Sequence, residues 1–284
     1  MDDATGFKIR VMTRKELDTA IDWAAAEGWN PGLYDAECFY RADPDGFLIG
    51  LLDDEPIATI SVVKYSDNFG FLGFYIVKPG FRGMGYGMKI WNAGMAYLSD
   101  CNIGLDGVVA QQDNYSKSGF KLAYRNIRYQ GIGGGSVPTD QCIVPLSQIR
   151  FEELCAYDHL FFPGNRREFL RCWINQPQGT ALGIKQNGKL AAYGVMRKCR
   201  SGYKIGPLFA DCPECAGLLF TALKTRASGE STVFLDIPEA NTAAFDLVNR
   251  QNMTPAFETA RMYTRGSPAL PLERIFGITS FELG

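Results

Sequence analysis

Residues 71–98 constrain this chain more than any other stretch. The apolar run from Phe71 to Val77 reads as a buried strand, and Pro79-Gly80 stops it. Arg82-Gly83-Met84-Gly85-Tyr86-Gly87 follows, and then a helix with Ile90, Trp91, Met95 and Leu98 on one face. Strand, glycine-rich turn and helix in that order form a device for holding phosphate. Glycines at 83, 85 and 87 let the backbone approach a ligand and take positive φ. The free N–H groups of the helix's first turn face the anion, and the helix dipole favours its charge. Arg82 can add a charge-assisted contact. Without a ligand, the same residues make only a glycine-rich β-to-α turn.

Two familiar glycine loops do not fit. A Walker loop needs Gly-Lys-Ser/Thr, which is missing. A dinucleotide loop needs differently spaced glycines in a parallel unit and an acidic residue about 20 positions on. Here the glycines alternate, arginine precedes them, and Asp106 falls inside a later strand. The pattern Val77-x-Pro79-x-x-Arg82-Gly83-x-Gly85-x-Gly87 instead resembles the pyrophosphate loop of the GNAT superfamily of acetyl-CoA-dependent N-acetyltransferases. Asn114-Tyr115-Ser116-Lys117-Ser118-Gly119-Phe120 resembles that family's closing motif, a short helix carrying a tyrosine and a Gly-Phe that starts the last strand. The likeness covers roughly residues 7–130. One position departs from it. Family members often carry an asparagine seven residues before the tyrosine, where this chain has Val108. Gln111, Gln112 or Asn114 is left to take its place.

The remaining sequence agrees with that order. Phe7 to Met12 alternates as a first strand, and Thr13-Arg14-Lys15-Glu16 is a capping box opening a helix that ends near Gly28. Residues 47–52 and 57–65 read as a hairpin feeding the strand at 71–77. Residues 105–110 read as the next strand, and 121–129 as the last of the first half. Gly131 to Pro138 is flexible in composition and marks a boundary. After it, helix, helix, hairpin, strand, helix, strand, helix and strand repeat the first half, the hairpin turning at Gln186-Asn187-Gly188. No arginine or alternating glycines precede the second half's helix at 214, so this copy reads as degenerate. Asn241-x-x-Ala244-x-x-Leu247 resembles the asparagine-bearing helix that the first half lacks. The expected architecture is α/β (α+β): two GNAT-like domains at 1–131 and 147–284, joined by a linker at 132–146. Each has a mixed, mostly antiparallel sheet flanked by helices.

Composition narrows the partners. A formal net charge of -2 and a pI near 5.6 argue against an electrostatic nucleic-acid binder. No apolar run reaches membrane-spanning length, and the acidic start Met1-Asp2-Asp3 lacks a leader's apolar core. Eight scattered cysteines fit a reducing cytoplasm. Cys212-Pro213-Glu214-Cys215 has redox or zinc spacing. With a single histidine and no second pair it reads as core residues near a helix start, and no metal is expected. The partner expected is a small-molecule or peptide amine, with room for a homodimer.

Acetyl transfer from a thioester to an amine needs three services. The resemblance implies that the strand before the loop splays from its neighbour, and that backbone groups at Tyr75, Ile76 and Val77 hold the pantetheine arm and polarise the carbonyl. One such donor lowers a barrier by about 3–4 kcal/mol. Arg82, Gly83, Met84, Gly85, Tyr86, Gly87 and Asn114 complete the expected cofactor set. Tyr115 is the expected acid for the leaving thiolate, matching the family's tyrosine. The amine must also lose a proton, and an alkylammonium costs about 4.6 kcal/mol to neutralise at pH 7. The strand at 69–77 carries no carboxylate, which leaves Asp106, Asp67 or water for that task. His159 reads as structural. Trp29, Asn30 and Tyr34 are expected over the acceptor side, where the same segment also reads as a turn with a core tryptophan. A module that binds CoA without catalysis and an acyltransferase for longer chains remain as alternatives.

Overall fold

A computed structural model describes residues 6–136, 138 and 142–284. The capping box forms as expected. Thr13 accepts from the Glu16 backbone and Glu16 reaches back to Thr13, starting α1 (Arg14–Ala26). Strands β1 (Phe7–Val11), β2 (Phe47–Leu52), β3 (Glu55–Ser66) and β4 (Phe69–Val77) form an antiparallel meander. α2 (Asp35–Ala42) lies between β1 and β2 in sequence. α3 (Tyr86–Tyr97) leads from β4 to β5 (Asn102–Val108), which runs parallel to β4. The short α4 (Gln112–Lys117) and β6 (Lys121–Ile132) close the first half.

The second half repeats this plan. It comprises β7 (Ile143–Pro145), α5 (Phe151–Asp158), α6 (Arg167–Trp173), β8 (Thr180–Gln186), β9 (Lys189–Lys198) and β10 (Tyr203–Ala210). α7 (Pro213–Lys224), β11 (Thr232–Pro238), α8 (Thr242–Arg250), β12 (Thr254–Tyr263) and β13 (Ile275–Gly277) follow. β10 and β11 are parallel, as β4 and β5 are. Two elements escape sequence reasoning: β7, inside the expected linker, and β13 with the segment after it.

The halves do not keep their own last strands. Among the described residues, a single sheet runs β1-β2-β3-β4-β5-β12-β6-β11-β10-β9-β8-β7. β12 of the second half pairs with β5 of the first, and β6 of the first pairs with β11 of the second. Each exchanged strand carries an arginine directly opposite an aspartate: Arg261 faces Asp106, and Arg128 faces Asp236. Both pairs are bidentate, at 2.6–2.8 Å for Arg261–Asp106 and 2.7 Å for Arg128–Asp236, and both are buried. Charges taken out of water this way hold strongly only when paired so completely.

α3 covers one face of the first half through Ile90 and Trp91, and α7 and α8 cover the matching face of the second. A shared core fills the other face. There Phe39, Phe71 and Phe74 meet Phe169, Trp173, Tyr193 and Phe209 from the second half. The segment 278–284 threads through this core and is buried throughout.

Candidate active site

The expected phosphate corner is open. A short 3-10 turn at Pro79–Phe81 delivers the chain to Gly83 (φ 77°) and Gly85 (φ 85°), the residue that begins α3. A Cβ built on either glycine meets nothing within 4 Å, so the loop faces empty space. No side chain among the described residues caps α3, which leaves its first-turn N–H groups available to an anion. Gly87 is required for a different reason. A Cβ there would lie 2.6 Å from the Tyr75 hydroxyl, so glycine lets α3 settle on β4. Tyr86 packs between Phe7 and Phe81, with ring centroids 4.9 and 6.3 Å away, while Met84 stands exposed. Arg82 sits at the rim. Its Nε donates to the Val77 carbonyl at 2.7 Å, and its guanidinium pairs with Glu27 at the end of α1.

Beside the loop the sheet opens. β4 pairs with β5 only from Phe69↔Asn102 to Leu72↔Leu105. From Gly73 onward the strands part, so one edge of Tyr75, Ile76 and Val77 has no strand partner among the described residues. A bulge sets this up: Ser61 and Thr59 on β3 face Gly73 and Ile76 on β4, one residue more on the β4 side. Phe74 takes φ 45° there, and Thr59 Oγ1 donates to its carbonyl at 2.9 Å. A non-glycine residue in that conformation stores strain on the order of 1–3 kcal/mol, a common feature of functional sites.

Tyr115 reaches this gap from α4. Its ring stacks on Trp91 at 5.8 Å, and Trp91 meets Tyr75 edge-on at 5.1 Å. Gly107 makes the room, since a Cβ there would lie 2.3 Å from Tyr115 Cε2. Burial, and after it the neighbouring Tyr75, push the Tyr115 phenol up to about 12. A phenol held there keeps its proton at neutral pH and can donate it. Trp91, which aligns both tyrosines, looked in the sequence like one more apolar helix residue.

Other expected residues stand differently. Asp106 corrects the reading of it as a base. Both carboxylate oxygens are taken by Arg261, Oδ1 also accepts from Asn126 at 2.8 Å, and the side chain is fully buried. That carboxylate holds an exchanged strand in three hydrogen bonds, and its side chain is closed off from solvent. Asn114 is exposed and bonds within its own helix, to Gln111 at 2.7 Å. Asn30 ties to the turn at Ser201 by two hydrogen bonds, and the Tyr34 hydroxyl accepts from Gln178 at 2.9 Å. The Trp29 carbonyl accepts from Arg128 at 3.0 Å. The segment 29–34 therefore lies against the second half. His159 is exposed at the end of α5. Cys212 caps α7 through the Cys215 N–H, and no metal-ligand cluster occurs among the described residues.

The second half has the same opening, but it is filled. β10 and β11 pair only through Ile205↔Leu235, and β13 enters the gap beyond, pairing with β10 at Leu208↔Gly277 and Phe209↔Ile275. Ile278 N donates to Asp236 O at 2.9 Å on the far side. Asn241 anchors β13, donating to the carbonyls of Glu273 and Ile275 at 3.1 and 2.9 Å. The chain's own strand thus lies where the first half leaves its β4 edge free.

Known proteins agree with this arrangement. A family model described as "Acetyltransferase (GNAT) family" matches residues 14–120, and one described as "Acetyltransferase (GNAT) domain" matches 154–277. The holothin acyltransferase of Pseudoalteromonas sp. (strain SANK 73390) is 30% identical over 271 residues, 95% of this chain and 92% of that one. A Pyrococcus horikoshii protein described as an acetyltransferase superposes with a TM-score of 0.84 at 21% identity, over 100% of this chain and 98% of that one. A tandem GNAT protein from the clavulanic acid biosynthesis pathway gives a TM-score of 0.64 at 12% identity, over 93% and 99%. Those two structures establish a shared fold, while the matched models and the full-length sequence relative establish kinship: the chain belongs to the GNAT acetyltransferase family, as an acyltransferase built from two GNAT units.

Proposed function

We propose that this acyltransferase binds acetyl-CoA at the first-half loop and transfers the acetyl group to the primary amine of a small molecule. The observation that carries the reading is the open corner at Gly83 and Gly85 beside the unpaired edge of β4. The glycine amides and the start of α3 suit a pyrophosphate, with Arg82 moving between Glu27 and the anion. The free edge of Tyr75–Val77 suits the amide groups of a pantetheine arm. Bound there, the cofactor supplies an activated thioester. Tyr115 then protonates the departing thiolate as the amine attacks. The second half, with its gap filled by β13, has no equivalent edge to offer. The likeness to a holothin acyltransferase supports a small-molecule acceptor.

Calorimetric titration with CoA and thiol release from acetyl-CoA with an amine panel test this. One CoA per chain and amine-dependent release are expected. Gly85→Asp places a side chain and a negative charge in the corner and should abolish binding, because the open φ 85° position is also one that other residues adopt poorly. Retained binding would refute the loop assignment. Faster release from a longer acyl-CoA would change the donor and leave the site in place.

A further inference from the structure

Among the described residues, four buried side-chain oxygens have no hydrogen-bond partner, Ser61 Oγ, Asn126 Oδ1, Thr259 Oγ1 and Glu282 Oε1, and the buried Arg197 Nε and Arg274 Nε also lack one. Ser61, Asn126 and Thr259 border the first-half opening, and Glu282 adjoins it through its backbone while its carboxylate lies near Arg128, Arg197 and Lys204. A Cβ on Gly73, where β4 leaves β5, would meet the Glu282 carbonyl at 2.1 Å and Ser61 Oγ at 3.0 Å. Asn126 and Thr259 stand opposite each other on β6 and β12, and Thr259 also faces Val108 at the end of β5. Phe281, next to Glu282 in the chain, lies 6.0 Å from the Phe257 ring and 4.6 Å from the Arg128 guanidinium. The segment 278–284 therefore crosses beneath the gap, on the side away from α3.

Each unsatisfied buried oxygen costs about 1–3 kcal/mol, which a donor placed beside it, water or ligand, recovers. Two of them, an amide oxygen and a carboxylate oxygen, can only accept, and hydroxyls can do so too. A donor would satisfy all four. An amine is the donor this reaction requires.

One cation nearby is equally unprovided for. Lys204 on β10 is buried, has no carboxylate within ion-pairing distance among the described residues, and makes one long hydrogen bond, 3.5 Å to the Trp29 carbonyl. Its neighbours Arg128 and Arg197 are already paired with Asp236 and Asp35. Burial and the charge of Arg128 lower its pKa, while Glu282 acts the other way. The fold does not need a lysine there. In the first half Phe71 precedes Leu72, the last residue of β4 paired with β5; in the second, Lys204 precedes Ile205, the last of β10 paired with β11.

We infer that Glu282 and Asn126 receive the N–H groups of the acceptor amine, and that Lys204 reads a carbonyl or carboxylate oxygen next to that amine. The inference rests on the first-half opening being the acyl-CoA site. It supplies from the segment 278–284 the carboxylate that β4 lacks, and it names the acceptor class as a primary amine flanked by a carbonyl group.

The test uses the full chain with saturating acetyl-CoA and three probes: glycinamide, glycine and propylamine. The better of the first two should exceed propylamine at least tenfold in kcat/KM. Lys204→Met should bring that ratio towards one, and Glu282→Gln should lower kcat/KM at least tenfold for every probe. CoA affinity should stay within twofold in both. The double variant should melt no lower than wild type, because neither group makes a strong internal bond. The inference falls if propylamine serves as well as glycinamide, if no probe reacts, if both variants keep wild-type kinetics, or if the double variant melts well below wild type. Loss of CoA binding by the wild-type chain would instead refute the acyl-CoA site.

Discussion

Removing one member of the Asp106–Arg261 pair should cost far more than removing both. The pair makes two hydrogen bonds, at 2.8 and 2.6 Å, with side-chain exposures of 0% and 6%. Asp106→Asn leaves the Arg261 guanidinium charged in a dry interior, and Arg261→Met strands the carboxylate in the same way. Breaking a buried pair from one side costs about 3–5 kcal/mol. For a chain of this size each kcal/mol moves the melting temperature by roughly 2–4 °C, so either single variant should melt about 6–20 °C lower. Asp106→Asn with Arg261→Met removes both charges and should recover most of the loss, because Met fills the guanidinium stem's space and Asn keeps its bond with Asn126. Scanning calorimetry of wild type, both singles and the double gives the coupling directly. A stable but inactive Asp106→Asn would refute this reasoning and return Asp106 to the role of base.

Tyr115→Phe should lower kcat about 100-fold or more with CoA affinity unchanged, as loss of a general acid does. Because burial raises the phenol to about 12, the proton remains available as pH rises, and thiol release should show no loss on the alkaline side up to pH about 10. An earlier fall, absent in the phenylalanine variant, would overturn that. Gly107→Ala should slow turnover with little change in CoA binding, since the new methyl would press on Tyr115 at 2.3 Å; wild-type kinetics would show that the ring moves freely. The two halves expressed separately should each fail to fold, and the intact chain should unfold in one calorimetric transition, because each half's fifth strand takes its partner from the other. A folded, monomeric first half would contradict this.

Local signals made much of this legible in the sequence. The capping box, the Asn187-Gly188 hairpin and the glycine loop are each set by neighbours along the chain, and they appear where the residues indicate. The splay of β4 followed from the family likeness, while the bulge at Phe74 that produces it left no trace, since nothing marks a phenylalanine for positive φ. Strand exchange was invisible for a related reason. Leu105-Asp106 and Leu235-Asp236 are near copies, as are the arginines at 128 and 261, so the pattern fits own-half and other-half pairing equally well. Asp106 looked available for catalysis because its partner lies 155 residues away. The buried course of residues 278–284 was hidden because the stretch after 264 has no periodicity to say where it goes.

The exchange also affects how the chain is made. β5 finishes at Val108, and the strand that completes its edge begins at Thr254. At roughly 5–20 residues per second, that edge waits about 7–30 s for its partner to leave the ribosome. Meanwhile β6, already synthesised and carrying an arginine at the matching place, is the nearest substitute. An edge left open that long can be met by β6 or by the strand of a second nascent chain before β12 arrives, a hazard that the finished sheet no longer carries.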